Sequence, residues 1–95
     1  MNKVILIGNV VTAPDVKQYD FGKVAKFRLA VDRGYTDETD FPDIVAFHKQ
    51  AELIEKYVDQ GKKIAIDGEL HTGSYEKDGV THRSVEVVAN RIEFL

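Results

Sequence analysis

The chain has 95 residues, of which 43% are hydrophobic and 31% charged, a balance that suits one compact domain over residues 1–95 and leaves no room for a second. Its formal net charge of -3 argues against holding a polyanion by bulk positive charge, so any such site is a local patch. It contains no cysteine, which excludes a disulfide framework and thiol chemistry and is compatible with a reducing cytoplasm. No apolar run approaches the roughly 20 residues of a membrane span.

The opening MNKVILIGNVV lacks the cleavage pattern of a secretory leader, and its β-branched run from Val4 to Val11 reads as a first strand. APD and the YDFGK turn around Gly22 supply a break. In VAKFRLAVDR, Ala25, Phe27, Leu29 and Val31 alternate with Lys26, Arg28, Ala30 and Asp32, which makes a second strand with Phe27 inward. FPDIVAFH is the third. KQAELIEKYVDQG changes to helical period: Leu53, Ile54, Tyr57 and Val58 share a stripe, Glu52 and Lys56 stand one turn apart, and Gly61 offers a C-cap. KKIAIDGELH returns to period two with Ile64, Ile66 and Leu70 on one side, Asp78-Gly79 marks a hairpin turn, and RSVEVVANRIEFL is the last strand. The fold class is therefore all-β with one short helix, and the order of elements is that of an OB-fold, a five-stranded Greek-key barrel.

The third strand poses a packing question. Alternation puts Phe41, Asp43, Val45 and Phe47 on one face and Pro42, Ile44 and Ala46 on the other. Both faces carry apolar groups, although a barrel wall has only one face for the core. Something must cover the outer phenylalanines.

Five segments in order, NKVILIGNV, GKVAKFRLAVDR, TDFPDIVAFHK, AELIEKYVDQGKKIAIDGEL and VEVVANRIEFL, resemble bacterial-type single-stranded DNA-binding proteins over essentially the whole chain. The resemblance implies an OB-fold, most often a homotetramer, that protects single-stranded DNA in replication, recombination and repair. It places Tyr35, Phe41, Phe47 and Tyr75 at the family's base-stacking positions, so that nucleobases would cover FPDIVAF. Burial of these phenylalanines against a subunit neighbour or the Tyr75 hairpin is the structural alternative. Tyr19, Phe21, Tyr57 and Phe94 are read as packing or surface residues.

Phosphate contacts fall first to Lys26 and Arg28, whose alternation puts them on the face adjoining Phe41 and Phe47 if the second and third strands pair. The family-like segments add Lys3, Arg33, Lys49, Lys62 and Lys63. Against these stand several departures: Asp59-Gln60 ends the helix, His71 and Gly73 occupy places that are often basic, Asp43 lies between the phenylalanines, and tryptophan is absent. The loop TDETD between Tyr35 and Phe41 is short and acidic. Because the chain stops at RIEFL, the resemblance is to a short form without the acidic tail, and tail-mediated recruitment of repair and replication enzymes is not expected.

Catalysis finds no support in the sequence. There is no glycine-rich phosphate loop, and His48, His71 and His82 have neither metal-ligand spacing nor a triad partner. No cofactor, metal or membrane is expected. The location implied is the cytoplasm of a bacterial or mobile-element host, at the nucleoid. The rival to single-stranded DNA binding is an OB-fold interaction module with weak or no DNA binding, favoured by the acidic charge and opposed by the aromatic quartet.

Overall fold

The computed structural model describes all residues 1–95. The elements are β1 (Val4–Val10), β2 (Asp15–Tyr19), β3 (Gly22–Asp32), β4 (Thr39–Asp40), β5 (Asp43–Phe47), α1 (His48–Tyr57), β6 (Lys63–Lys77) and β7 (Val80–Phe94). The sheet runs β1-β6-β7-β5-β3-β2, and a further pairing of β1 with β3 closes five of these strands into a ring. All neighbours are antiparallel except β5 and β7, which run parallel. The ring is the strand arrangement expected of an OB-fold.

Closure is possible because β1 and β3 cross closely. Asn9 pairs with Ala30 and Val10 with Leu29, and beside them a Cβ on Gly8 would lie 2.2 Å from the Ala30 carbonyl oxygen. Only glycine fits there. Inside the ring sit Val10, Ala25, Phe27, Leu29, Ile44, Ala46, Ile64 and Ile66, all buried, and no polar or charged residue is buried with them. The helix and the residue that follows it close this core by laying Ala51, Ile54 and Val58 onto it.

The helix differs from its expected form in three ways. Its buried residues are Ala51 and Ile54, with Val58 buried just past its end, Leu53 only half-buried and Tyr57 exposed against the Phe94 ring. It ends before Gly61, because Val58 is already extended and caps the Ile54 carbonyl, while Gly61 donates its N–H to the Val10 carbonyl at 2.8 Å. Glu52 forms no ion pair with Lys56. Glu55 instead accepts a hydrogen bond from Lys23 at 2.5 Å, tying the helix to β3.

Two strands also depart from the sequence reading. β2 pairs with β3 from Asp15 opposite Lys26 to Tyr19 opposite Gly22, where a break was expected. The third strand starts at Asp43, so Phe41 and Pro42 form a link from β4, held to β3 where the Pro42 carbonyl accepts from Leu29 N–H at 3.1 Å. The Asp78-Gly79 turn is where expected, with φ of 53° and 76°, and it joins two 15-residue strands. Past Gly68 this hairpin outruns the ring, so Leu70 is exposed although it shares the parity of buried Ile64 and Ile66.

Phe27 is buried in the ring, and its neighbours in sequence, Lys26 and Arg28, are exposed. Phe27→Ala should therefore cost about 3–5 kcal/mol of folding stability, read as a lowered urea midpoint with an unchanged slope. A loss below about 1 kcal/mol would mean that the ring is not filled in this way.

Candidate nucleic-acid interface

Residues directly opposite one another on paired strands share a face, so the register defines one outer surface across five strands. Asp15, Lys17 and Tyr19 of β2 lie opposite Lys26, Val24 and Gly22 of β3. On its other side β3 sets Val24 against Phe47, Lys26 against Val45 and Arg28 against Asp43 of β5. Val45 in turn lies beside Val88 of β7, and the β6–β7 ladder carries the same face outward to Tyr75 opposite His82. One continuous face thus presents Tyr19, Phe47 and Tyr75 together with Lys17, Lys26 and Arg28.

This face is only partly open. Val45, expected to share the uncovered side of FPDIVAF, is buried within the chain, while Phe47 keeps 37% of its surface exposed and Phe41 54%. Tyr75 and Tyr35 are 55% and 82% exposed. None of the four is a core residue.

Between β3, β5 and the projecting hairpin runs a groove of about 570 Å³ lined by Lys26, Arg28, Asp43, Tyr75, Arg83 and Glu86 among others. Three cations there face two carboxylates. Arg28 donates through Nε to Asp43 at 3.2 Å, so one of those cations is partly committed. The Tyr75 ring is stacked on His82 at 5.2 Å and 17° between planes.

The groove brings Lys26, Arg28 and Tyr75 together and leaves other expected residues apart. Lys3 pairs with Asp67 at 3.1 Å on the β1–β6 side. Lys62 lies over the Phe94 ring at 6.0 Å, and Lys63 faces Asn9 of β1. Lys49 is exposed in the first turn of α1. Arg33 is held most firmly: its guanidinium bridges Glu38 at 2.6 Å and Asp40 at 2.9 Å, bracing the loop that carries Tyr35. Of the histidines, His71 bonds Glu69 at 2.9 Å and, with Asn90, holds that carboxyl below the usual range.

Arg83, His82 and Lys17 are residues that the sequence reading did not select. A signal for the first two existed. A two-residue turn at Asp78-Gly79 pairs Lys77 with Val80, so counting back sets Tyr75 opposite His82 and Ser74 opposite Arg83. Lys17 had no comparable signal, because DVKQY has a single inward apolar residue, Val16, and no alternation to read.

This geometry has close counterparts. The model of the "Single-strand binding protein family" matches residues 1–95. The chain belongs to this family. It is 39% identical over 100 residues to a single-stranded DNA-binding protein of Clostridium perfringens, and 41% identical over 106 residues to one of Bacteroides thetaiotaomicron. Both alignments cover 100% of this chain and 66% of the relative, so the chain spans about two thirds of the length of these curated relatives. Among solved structures, the Plasmodium falciparum SSB in complex with ssDNA superposes with a TM-score of 0.89 at 31% identity, covering 100% of this chain and 95% of that one. The strand ring is accordingly the OB-fold of this family. No helix is long and apolar enough to cross a membrane.

The Arg33 clamp can be checked directly. The hydrogen bond and charge of Arg33 hold the Asp40 carboxyl below its ordinary range. A lowered carboxylate pKa stabilises the folded loop above the ordinary range, and that contribution is lost as pH falls through the lowered value. By NMR titration, Asp40 should protonate at lower pH than a free aspartate in the wild type and return to the ordinary value in Arg33→Gln.

Proposed function

We propose that this chain acts as one domain that binds and shields single-stranded DNA without regard to sequence, in replication, recombination and repair, and catalyses no reaction. The observation that carries this reading is the continuous outer face on which exposed Phe47 and Tyr75 flank Lys26 and Arg28. Aromatic faces accept any base by stacking, and cations beside them follow the backbone. Phe41 and Tyr35 extend the stacking set from the β4–β5 link and the loop after β3. Lys26 and Arg28 carry the phosphate contacts, with Lys3, Arg33, Lys49, Lys62 and Lys63 as outlying ones. Membership of the family supports the reading, as does the likeness to the Plasmodium falciparum protein, whose structure is a complex with ssDNA.

Stacking contributes more than charge in this protein. The net charge is -3, and Arg28 and Arg33 are engaged by carboxylates. Each phosphate neutralised on a single strand adds a slope of about -0.7 to the salt dependence, so few free cations mean a shallow one. Duplex DNA hides its base faces and should be bound far more weakly.

The proposed assembly is a closed homo-oligomer, a tetramer, working in the cytoplasm at the nucleoid. Its support is the edge of β1: Val4 to Gly8 pair only with β6, leaving one side of the strand open, and Ile5 and Ile7 are exposed on its outer face. An open apolar edge is satisfied by a second copy. Light scattering should return a multimer mass, four copies in the expected case. A monomer at all concentrations would refute the assembly.

Titration with labelled oligo(dT) tests the binding mode. Phe47→Ala and Phe41→Ala should each weaken binding by roughly 1–3 kcal/mol per lost stack with little change in melting temperature. Tyr75→Ala follows, and Tyr35→Ala, on its braced acidic loop, costs least. Equal binding of duplex and single strands, or loss of stability without loss of binding at both phenylalanines, would favour the interaction-module reading.

A further inference from the structure

The outer face does not end at Phe47. At the end of the β2–β3 hairpin four rings follow one another without a gap. The Phe47 and His48 centroids are 6.4 Å apart at 44°, His48 meets Phe21 edge-on at 6.3 Å and 82°, and Phe21 lies parallel to Tyr19 at 5.3 Å and 6°. Tyr19 and Phe21 are 45% and 61% exposed. Two large rings stacked on each other in water cover little core, so their place on the surface calls for another account.

The ladder is built into the backbone at its middle rung. His48 has φ of 53°, and its ring lies on Gly22, where a Cβ would stand 2.4 Å from Nδ1. Any other residue at position 22 would push the imidazole away and open the row of rings. Cations accompany the rings as they do in the groove. Lys17 shares the face of Tyr19, and with Lys26, Asp15 and Val24 these two line a shallow depression of about 40 Å³. Asp15 is 3.9 Å from Lys17, a loose exposed pair.

We propose that Tyr19 and Phe21 form a further stacking site for unpaired bases, so that a single strand leaving the Tyr75 groove passes Lys26 and Phe47 and continues over His48 onto the β2–β3 hairpin. This rests on the proposed reading of the sheet face as a single-strand surface and lengthens its path. The occupant is a base rather than an apolar protein segment for two reasons. The exposed apolar side chains here are flat rings with no aliphatic residue among them, and Lys17 and Lys26 adjoin Tyr19, with Asp15 beside them and exposed Asp20 between the two rings as the opposing charges.

The test uses oligo(dT) of increasing length. Short oligomers that fill only the groove should bind Tyr19→Ala/Phe21→Ala as they bind the wild type. Longer ones should bind it roughly tenfold more weakly per lost stack, and each protomer should occlude fewer nucleotides. Because the chain has no tryptophan, Phe21→Trp supplies a single reporter that retains an aromatic face. Its fluorescence should be quenched by long oligo(dT) and left unchanged by an abasic strand of equal length. Equal binding of the double variant and the wild type at every length, with Phe47→Ala still defective, overturns the ladder and leaves the functional reading standing. Quenching of Phe21→Trp by the abasic strand also overturns it. A wild-type protein that binds no single strand removes both.

Discussion

The close crossing of β1 and β3 is the constraint on which the remaining structure depends. At Gly8 the two backbones approach within a distance that no side chain tolerates, and the ladder at Asn9 and Val10 completes the ring there. Once the ring is closed, its interior is filled by Phe27, Leu29, Ile44, Ile64 and Ile66. Alternation then leaves no choice for the residues between them. Lys26 and Arg28 are turned outward because Phe27 and Leu29 are turned inward, and Phe47 follows because Ala46 is buried. The outer face is thus a consequence of core formation, with register transmitting it from strand to strand.

Two features give that face its character. The β6–β7 hairpin continues past the ring, so that one side of the groove is an arm with water on both faces, exposed from Leu70 to Val85. Such an arm has no core to hold it and relies on its own cross-strand ladder and on the Asn2 side chain, which bridges the Leu70 N–H and carbonyl at 2.8 Å each. The other feature is the pairing of arginine with carboxylate. Arg28 with Asp43 and Arg33 with Glu38 and Asp40 brace the surface while reducing its free positive charge. Exposed pairs of this kind add little stability. Their larger effect is electrostatic, since they set carboxylates against the Arg28 and Arg33 guanidinium groups.

Sequence periodicity was informative wherever one face of an element met the core. VAKFRLAVDR, KKIAIDGELH and the Asp78-Gly79 turn were legible because the buried residues alternate cleanly or the turn demands two positive φ angles. β2 was not legible: it is a short arm with only Val16 turned inward, and its pairing partner supplies what its own sequence lacks. Helix limits were misplaced for a similar reason. Gly61 has the chemistry of a C-cap, but Val58 leaves the helix earlier to bury its side chain against the core.

The sequence by itself determined the fold class, the family and the inward sense of Phe27, Leu29, Ile64 and Ile66, because hydrophobic alternation and segment order are properties of the chain, whereas the burial of Val45 and the exposure of Leu70 depend on where the ring ends. Tertiary structure alone decided which outward residues are neighbours. Lys26 and Tyr75 lie far apart along the chain yet line one groove, and Tyr19 reaches Phe47 only through Phe21 and a histidine seated on a glycine. It also decided which cations are free, since Arg33 meets Asp40 only when β4 pairs with β3. Those juxtapositions arise from ring closure and register between distant strands, and no local pattern encodes them.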